Sequence, residues 1–461
     1  MLDFDHIDEY RENNRIEAKT ALGGLPESIW ETYSAFANTF GGYILLGVIE
    51  KKDKSLDTVD LPDPERLIRN FRSLLTDRKK VSADIISAKD VYVQKVNGNS
   101  IVVIYVPRAD RTVRPVYIDG NPLNAYKRNG EGDYRCTKNE YDAMLRDASA
   151  RTQDMKIMAG CDISALDPET VRAYRSRMKK FRPEHIWNDL GDTEFLVRAG
   201  AAVTDGKGTA RPTAAGLLMF GTTEEIKREY PHFSLLYRDE ENKPLCGKNV
   251  FGFFTDVCSN TELSLDLSEK AGRAVREALA NCLINSDYYG EAGVSVNVFA
   301  DRIDITNPGG FRIASSAAAA GGVTDSRNGV IHRIFALIDI GQRIGSGIPF
   351  ILRTWKEEGL NSPFFTEKGD PDRVILTLPL LSDPDGMTAS NRIAAGKRAK
   401  NKINESIILF LTDKPETCAA EIAEYTFLSV SSVRKRMKEL EKNGIIEISN
   451  NGKKNIYRLR R

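Results

Sequence analysis

This 461-residue sequence has no long hydrophobic run, no closely spaced pair of cysteines and few histidines. No segment approaches the ~18 consecutive apolar residues of a membrane-spanning helix, and no apolar signal core follows the charged start. The six cysteines are scattered without a Cys-x-x-Cys pair, and only four histidines accompany them, which disfavours a zinc site or a disulfide framework. These absences predict a soluble, cytoplasmic protein with reduced cysteines and no membrane contact.

The length predicts several domains, because 461 residues is about three times the ~150 residues of a typical domain. A polar segment almost without aromatic residues separates the last domain from the others and is predicted to be a linker. The expected segments are residues 1–150, 151–260, 261–381, the linker 382–402, and 403–461.

The formal net charge of +1 conceals a segregation of charge along the chain. Residues 391–461 hold 16 Lys and Arg against 8 Asp and Glu, so this tail has a net charge of +8 and the rest of the chain −7. A basic block on an acidic body is typical of a module that binds a polyanion, because phosphate neutralisation with release of counterions dominates nucleic-acid affinity. A tail that only improves solubility is the alternative.

The tail has the order of elements of a winged helix-turn-helix. After two short helices, apolar residues recur at helical spacing from Val430 to Leu440, and Gly444 follows as a helix stop. Two β-type runs then flank Asn451 and Gly452, the dipeptide that suits a tight hairpin turn. The third helix would enter a major groove and the wing would meet phosphates, although such folds also serve protein contacts. The residues expected to contact nucleic acid are Arg434, Lys435, Arg436, Lys438, Lys453 and Lys454.

A second pattern begins with Glu277 and Asn281, which lie four residues apart and therefore on one face of a helix. An extended run, a turn at 307–310, a small-residue loop at 314–329 and a Gly-Ser-Gly stretch at 345–347 follow in that order. The last stretch opens an apolar helix, where free N–H groups and the helix dipole suit a phosphate. This order resembles the Bergerat fold of the GHKL ATPases, an α/β sandwich, and most closely its divergent branch with an Asn-Pro-Gly-Gly turn.

The resemblance implies an ATP site that holds Mg²⁺ and has weak ATPase activity. Asn281 would coordinate the metal ion, and Glu277 would polarise the attacking water. The acid that reads the adenine amino group in the family is absent from the turn, so Asp304 is the expected substitute. The other residues expected around the nucleotide are Asn307, Gly309, Gly310, Gly345, Ser346 and Gly347. A structural domain that binds no nucleotide is the alternative.

The N-terminal block carries Glu12, Glu17 and Lys19 in the pattern E-x-x-x-x-E-x-K, followed from Ser34 by S-A-F-A-N-T-x-G-G-x-x-x-x-G-V. The combination resembles the AlbA-like domain of the Schlafen group, an α/β domain that also occurs in bacterial regulators and in proteins named RecG-like. With the GHKL-like block and the winged helix, the sequence therefore predicts an α+β multidomain fold.

The Schlafen resemblance implies one of two activities for this domain. Some members are endoribonucleases in which three carboxylates hold Mg²⁺ or Mn²⁺, and the matching positions here are Glu12, Glu17 and Glu50, with Lys19 beside them. Other relatives bind nucleic acid without cutting it. The basic residues expected to hold nucleic acid are Lys127 and Arg128, with Arg72, Arg78, Lys79 and Lys80 as further candidates.

Three functions therefore stay open. The first hypothesis is a DNA-binding transcriptional regulator whose conformation or homodimerisation depends on ATP. The second is a metal-dependent endonuclease that acts on structured RNA in defence or stress, with the tail as its targeting module. The third is an ATP-gated assembly scaffold without catalysis.

Overall fold

The computed structural model describes residues 2–206, 208–239, 244–265, 267–341, 345–380, 407–408, 410–412, 414, 416–426, 430–450 and 455–460. The chain divides into two units, of which one joins Met1–Met144 to Pro384–Arg461 and the other is Leu145–Asp383. Within the described part of the chain, every helix is too short or too polar to cross a lipid bilayer.

The N-terminal part of the first unit is an α/β domain. Its elements are the 3-10 helices Phe4–Glu9 and Ala88–Asp90, β1 (Ile16–Lys19), α1 (Ile29–Asn38), β2 (Gly42–Leu46), β3 (Val48–Glu50), β4 (Leu56–Thr58), α2 (Pro64–Leu75), β5 (Val91–Val96), β6 (Asn99–Val106), β7 (Tyr126–Asn129), β8 (Gly132–Arg135) and α3 (Lys138–Ala148). The main sheet has the order β1-β2-β6-β5, with β1 and β2 parallel, and β3–β4 and β7–β8 form separate hairpins.

The two helices α1 and α2 share an apolar core with this sheet. Trp30 of α1 stacks on Phe71 of α2 with ring centroids 5.4 Å apart, and both side chains are buried. The sequence predicts one continuous strand over Tyr43–Val48, whereas Gly47 adopts φ +81° and separates β2 from β3. A Cβ at this position would lie 2.8 Å from Leu61 Cγ, so the chain passes here without room for a side chain.

The second unit contains the 3-10 helices Gln153–Met155, Ile163–Ala165 and Ile186–Asp189, together with α4 (Pro168–Phe181), α5 (Asp192–Ala199), β9 (Ala202–Thr204), β10 (Ala210–Pro212), α6 (Ala214–Phe220), α7 (Thr223–Glu229), β11 (Leu235–Asp239), β12 (Leu245–Cys246), α8 (Val250–Ser264), α9 (Glu269–Asn285), β13 (Val294–Val298), β14 (Arg302–Pro308), α10 (Ser315–Ala320), α11 (Gly329–Leu337), α12 (Gly347–Glu357), β15 (Phe364–Gly369) and β16 (Asp372–Pro379). Its sheet has the order β12-β11-β13-β14-β16-β15. Helix α9 is buried along most of its length and joins one apolar core with α6, α8, α11 and the sheet.

The C-terminal part of the first unit has β17 (Thr417–Cys418), α13 (Ala419–Thr426), α14 (Val430–Lys442), β18 (Ile446–Asn450) and β19 (Asn455–Leu459). The strands form a sheet in the order β17-β19-β18, and Val433, Met437 and Leu440 of α14 are fully buried. The predicted helix, amphipathic stripe and hairpin are therefore confirmed. The hairpin tip, including the predicted contacts Lys453 and Lys454, lies outside the described residues.

Candidate nucleotide pocket and nucleic-acid interface

A cavity of about 120 Å³ lies beside helix α9 in the second unit. A second cavity, of about 550 Å³, shares Glu277 and Gly347 with the first and is also lined by Ser346. The structure thus assembles most of the predicted nucleotide site from distant segments. The predicted residues that line the first cavity are Glu277, Asn281, Asn307, Gly310, Gly345 and Gly347.

Glu277 stands where the two cavities adjoin and is only 9 % exposed. Its Oε1 accepts a hydrogen bond from the Gly341 N–H at 3.1 Å. Burial raises the pKa of the Glu277 carboxyl above its usual value. A carboxyl with a raised pKa at the edge of a cavity suits proton transfer to or from a bound water.

The walls of the first cavity suit a nucleotide. Ile305, Val374 and Leu376 give it an apolar side, which is typical of a slot for a planar ring. On the polar side, a Cβ on Gly347 would lie 2.6 Å from Asn281 Nδ2, so the backbone at the start of α12 approaches Asn281 closely because residue 347 is glycine. Gly345 adopts φ +64°, a conformation that favours glycine. The residues present therefore fit a nucleotide whose phosphates lie at the start of α12.

The structure does not place Asp304, the predicted replacement for the adenine-reading acid, at the cavity. Its carboxylate accepts hydrogen bonds from Thr377 Oγ1 at 2.7 Å and from Arg302 Nε at 3.1 Å, and it lines neither cavity. Successive side chains of a strand point to opposite faces, so Asp304 faces away from the cavity that Ile305 and Asn307 line. Gly309 lies outside the lining as well.

Sequence reasoning missed the buried Arg327, which lines the first cavity and is 3 % exposed. Its guanidinium donates two hydrogen bonds to the Asp147 carboxylate, at 2.9 and 2.8 Å. It also donates to the carbonyls of Asn285 and, at 3.1 Å, Gly310. Burial acts to lower the pKa of Arg327, but the Asp147 carboxylate outweighs it and the pKa is raised. These hydrogen bonds connect the loop before α11, in which Arg327 lies, to the end of α9 and to the glycine turn.

The three N-terminal glutamates are held by cations and by the backbone. Glu17 forms ion pairs with Lys19 Nζ at 2.9 Å and with Arg128 Nη2 at 2.8 Å, and Glu17 and Lys19 share one face of β1. Glu50 pairs with Lys54 Nζ at 2.9 Å, and Glu12 accepts from the Ala18 N–H at 2.9 Å. Among the residues that the structure describes, no three His, Cys, Asp or Glu side chains are grouped as metal ligands. This arrangement does not assemble Glu12, Glu17 and Glu50 around an ion.

The three carboxyls nevertheless interact electrostatically. The pKa of Glu12 is raised from 4.5 to about 7, first because the carboxyl is buried and then because Glu17 and Glu50 carry negative charges nearby. Between about pH 4.5 and 7, Glu12 is therefore protonated in the folded chain and ionised in the unfolded chain. Ionisation of Glu12 lowers the free energy of unfolding. This effect is absent at low pH and reaches its full size above pH 7.

We expect Glu12→Gln to unfold at a higher temperature than the wild type at pH 8, because glutamine removes the charge and keeps an oxygen for the Ala18 N–H. The difference should shrink as the pH falls to 5, where Glu12 is protonated in the folded protein. Thermal unfolding followed by circular dichroism across this pH range measures it. A difference that does not depend on pH would contradict the assignment, and Glu65→Gln on the exposed side of α2 is the control.

Lys127 and Arg128 are not free to hold nucleic acid as predicted. Arg128 is 2 % exposed and pairs with Asp133 as well as Glu17, at 2.9 and 2.8 Å. Lys127 is 8 % exposed and pairs with Glu140 at 3.1 Å. Both cations are buried because acidic partners from other elements neutralise them.

The basic residues of α14 divide into two groups. Arg436 is 4 % exposed and pairs with Glu9, so the prediction that it contacts nucleic acid does not hold in this arrangement. Arg434, Lys435 and Lys438 are exposed. The helix therefore keeps a basic solvent face and turns Arg436 to an acid of the N-terminal 3-10 helix.

Comparisons with known proteins match separate segments of the chain. Residues 12–137 match the family described as Schlafen, AlbA_2. The N-terminal domain of a RecG-related protein from Nitrosomonas europaea, solved by NMR, is 33% identical over 29% of this chain and 90% of its own, with a TM-score of 0.23. Residues 12–137 therefore belong to the Schlafen AlbA_2 family. Beyond the Schlafen AlbA_2 domain, residues 142–236 match a domain of unknown function.

Two further matches each include part of another candidate site. Residues 291–376 match the family described as "Putative ATP-dependent DNA helicase recG C-terminal", and residues 400–447 match a winged helix-turn-helix DNA-binding family. A crystal structure of a Corynebacterium diphtheriae protein is 16% identical and covers 96% of this chain and 92% of its own, with a TM-score of 0.40. Among curated proteins, none matches the chain. The fold class is confirmed, and the chain carries nucleic-acid-binding domains.

Proposed function

We propose that this protein is a transcriptional regulator whose binding to DNA responds to ATP. The observation that carries the proposal is the exposed basic face of Arg434, Lys435 and Lys438 on helix α14 of a winged-helix domain. In this fold that helix enters the major groove, where base edges can be read, while flanking cations contact phosphates.

The nucleotide part of the proposal rests on the cavity beside α9. Asn281 and Glu277 lie on one face of that helix and both line the cavity, and the close approach of Gly347 to Asn281 places the start of α12 beside the cavity, where the first N–H groups of a helix suit phosphates. If ATP binds there, Mg²⁺ would be held through Asn281 and would neutralise charge on the phosphates. Glu277 could then accept a proton from a bound water in a slow hydrolysis.

Homodimerisation would connect the two sites. Ala318, Val323 and Arg327 of the loop region between β14 and α11 line the cavity, so a bound nucleotide would contact this segment directly. We infer that ATP orders a surface there on which a second copy docks. Two copies would pair two winged helices for a palindromic DNA site.

Removal of the exposed cations of α14 tests the DNA-binding part. We expect full-length Arg434→Gln/Lys438→Gln to bind duplex DNA about tenfold more weakly, with a salt dependence shallower by about two counterions. Fluorescence anisotropy with a labelled duplex over a range of KCl concentrations measures both quantities. Lys179→Gln/Lys180→Gln on the exposed side of α4 removes the same charge elsewhere and should bind like the wild type. Equal affinity of both variants would leave the winged helix with a protein-contact role.

A metal-dependent endonuclease is the second candidate, favoured by the proximity of three carboxyls: after burial, the charges of Glu17 and Glu50 help to raise the pKa of Glu12. Against it stand the ion pairs that Glu17 and Glu50 make with Arg128 and Lys54. Mn²⁺ should raise the melting temperature of the wild type but not of Glu12→Gln if the three carboxylates bind the ion. Cleavage of transfer RNA that is lost in Glu17→Ala would establish this function, and no cleavage would remove it.

A further inference from the structure

Helix α2 in the Schlafen AlbA_2 domain has an apolar face and a basic face. Leu67, Phe71 and Leu75 are buried at spacings of four and pack into the core that includes Trp30. The opposite side carries Arg66, Arg69 and Arg72 at spacings of three. Of these, Arg66 and Arg69 are exposed and Arg72 is half-buried.

The charges of this face are not compensated by ion pairs. Among the described residues, no carboxylate forms a salt bridge with Arg66, Arg69 or Arg72, in contrast to the paired Arg128. Arg72 Nη2 donates only to the neutral carbonyl of Ala88 at 2.9 Å. These guanidinium groups are therefore available to an external anion.

The basic surface extends past the end of the helix. Arg78 and Lys79 are exposed, and Arg78 Nη1 donates to the neutral carbonyl of Ser82 at 3.0 Å. Lys80, the next residue, pairs with Glu27 at 2.9 Å and Asp119 at 3.2 Å and is taken out of this surface. The available cations are thus a defined subset of the basic residues in this region.

We propose that Arg66, Arg69 and Arg72, together with Arg78 and Lys79, form a second nucleic-acid-binding surface, the α2 arginine face, which holds the sugar-phosphate backbone. The inference rests on the proposed nucleic-acid binding and names the part of the Schlafen AlbA_2 domain that contributes to it. From residue 66 to 72 the helix rises about 9 Å. Duplex DNA carries about five phosphate charges over that length, so neighbouring guanidinium groups can each reach a phosphate.

Two features favour nucleic acid over an anionic membrane. A helix that binds a membrane surface inserts its apolar side among the lipids, but the apolar side of α2 is covered by the domain core. Arginines supply the three central charges, and the planar guanidinium matches the two oxygens of a phosphodiester. Because these contacts read no base edge, the α2 arginine face should bind without sequence preference.

The test uses the full-length chain with Arg66→Gln/Arg69→Gln, since both side chains are exposed and their loss should leave the melting temperature unchanged. We expect affinity for a labelled duplex DNA of arbitrary sequence to fall about tenfold, and the salt dependence to become shallower by about two counterions. Lys179→Gln/Lys180→Gln is the charge-matched control. Sedimentation with vesicles of phosphatidylcholine and phosphatidylserine is the second arm.

The outcomes separate this inference from the proposed function. Affinity that falls in both Arg66→Gln/Arg69→Gln and Arg434→Gln/Lys438→Gln supports both surfaces. Affinity that falls only in the α14 variant overturns the α2 arginine face and leaves the proposed function intact. Absence of duplex binding by the wild type overturns both, and loss of vesicle binding with unchanged DNA binding assigns the face to a membrane and overturns the inference.

Discussion

Asp147→Asn should lower the melting temperature of the second unit by about 10 °C. The substitution leaves the Arg327 guanidinium buried and charged without its carboxylate partner, and breaking a buried ion pair in this way costs about 3–5 kcal/mol. In a domain of this size, each kcal/mol shifts the melting temperature by about 2–4 °C. Differential scanning calorimetry of the full-length protein measures the transition. Glu194→Gln, which breaks the exposed Arg198 pair on α5, should shift it hardly at all.

The double substitution Asp147→Leu/Arg327→Leu distinguishes charge from packing. If the penalty comes from an unpaired buried charge, removing both charges should cost less than Asp147→Asn alone. Part of the loss will remain, because the carbonyls of Asn285 and Gly310 lose their donor. A double variant that is less stable than Asp147→Asn would contradict this explanation.

Gly347→Ala should abolish the response of the protein to ATP while leaving its fold in place. The added Cβ would lie 2.6 Å from Asn281 Nδ2, and the end of a flexible amide side chain can move away at low cost. That movement displaces the residue proposed to hold Mg²⁺ and fills the space proposed for phosphate. We expect millimolar Mg-ATP to raise the melting temperature of the wild type by several degrees and that of the variant not at all.

Gly329→Ala is the matched control for this experiment. Gly329 is also the first residue of a helix, α11, but a Cβ there would meet Thr152 at 3.4–4.0 Å, which is ordinary van der Waals contact. The control should keep the full ATP response. An unchanged response in Gly347→Ala would show that ATP does not bind beside Asn281, and no response in the wild type would remove the nucleotide site altogether.

The sequence allows prediction of what depends on local spacing. Glu277 and Asn281 are four residues apart on a helix, so their common face follows from the helical period. The Gly-Ser-Gly stretch before an apolar helix predicts the start of α12 in the same way, and the structure brings it to Asn281. The apolar period of α14 similarly predicts the buried side of the winged helix.

What the sequence could not supply is the pairing of charges between distant segments. Arg128 meets Glu17, and Arg436 meets Glu9 across more than 400 residues, so neither cation reveals its burial by its neighbours in the chain. Asp304 lies away from the cavity for a different reason, because one step along a strand reverses the face to which a side chain points. The role of Arg327 was not predicted because the sequence of the loop around it does not indicate a partner as distant along the chain as Asp147.

The affinity of the full-length protein for duplex DNA, measured with and without Mg-ATP, tests the central claim most directly. We expect Mg-ATP to change the dissociation constant at least several-fold in the wild type and in Gly329→Ala, and to leave it unchanged in Gly347→Ala. The same dissociation constant with and without Mg-ATP in the wild type would contradict a regulator whose DNA binding responds to ATP.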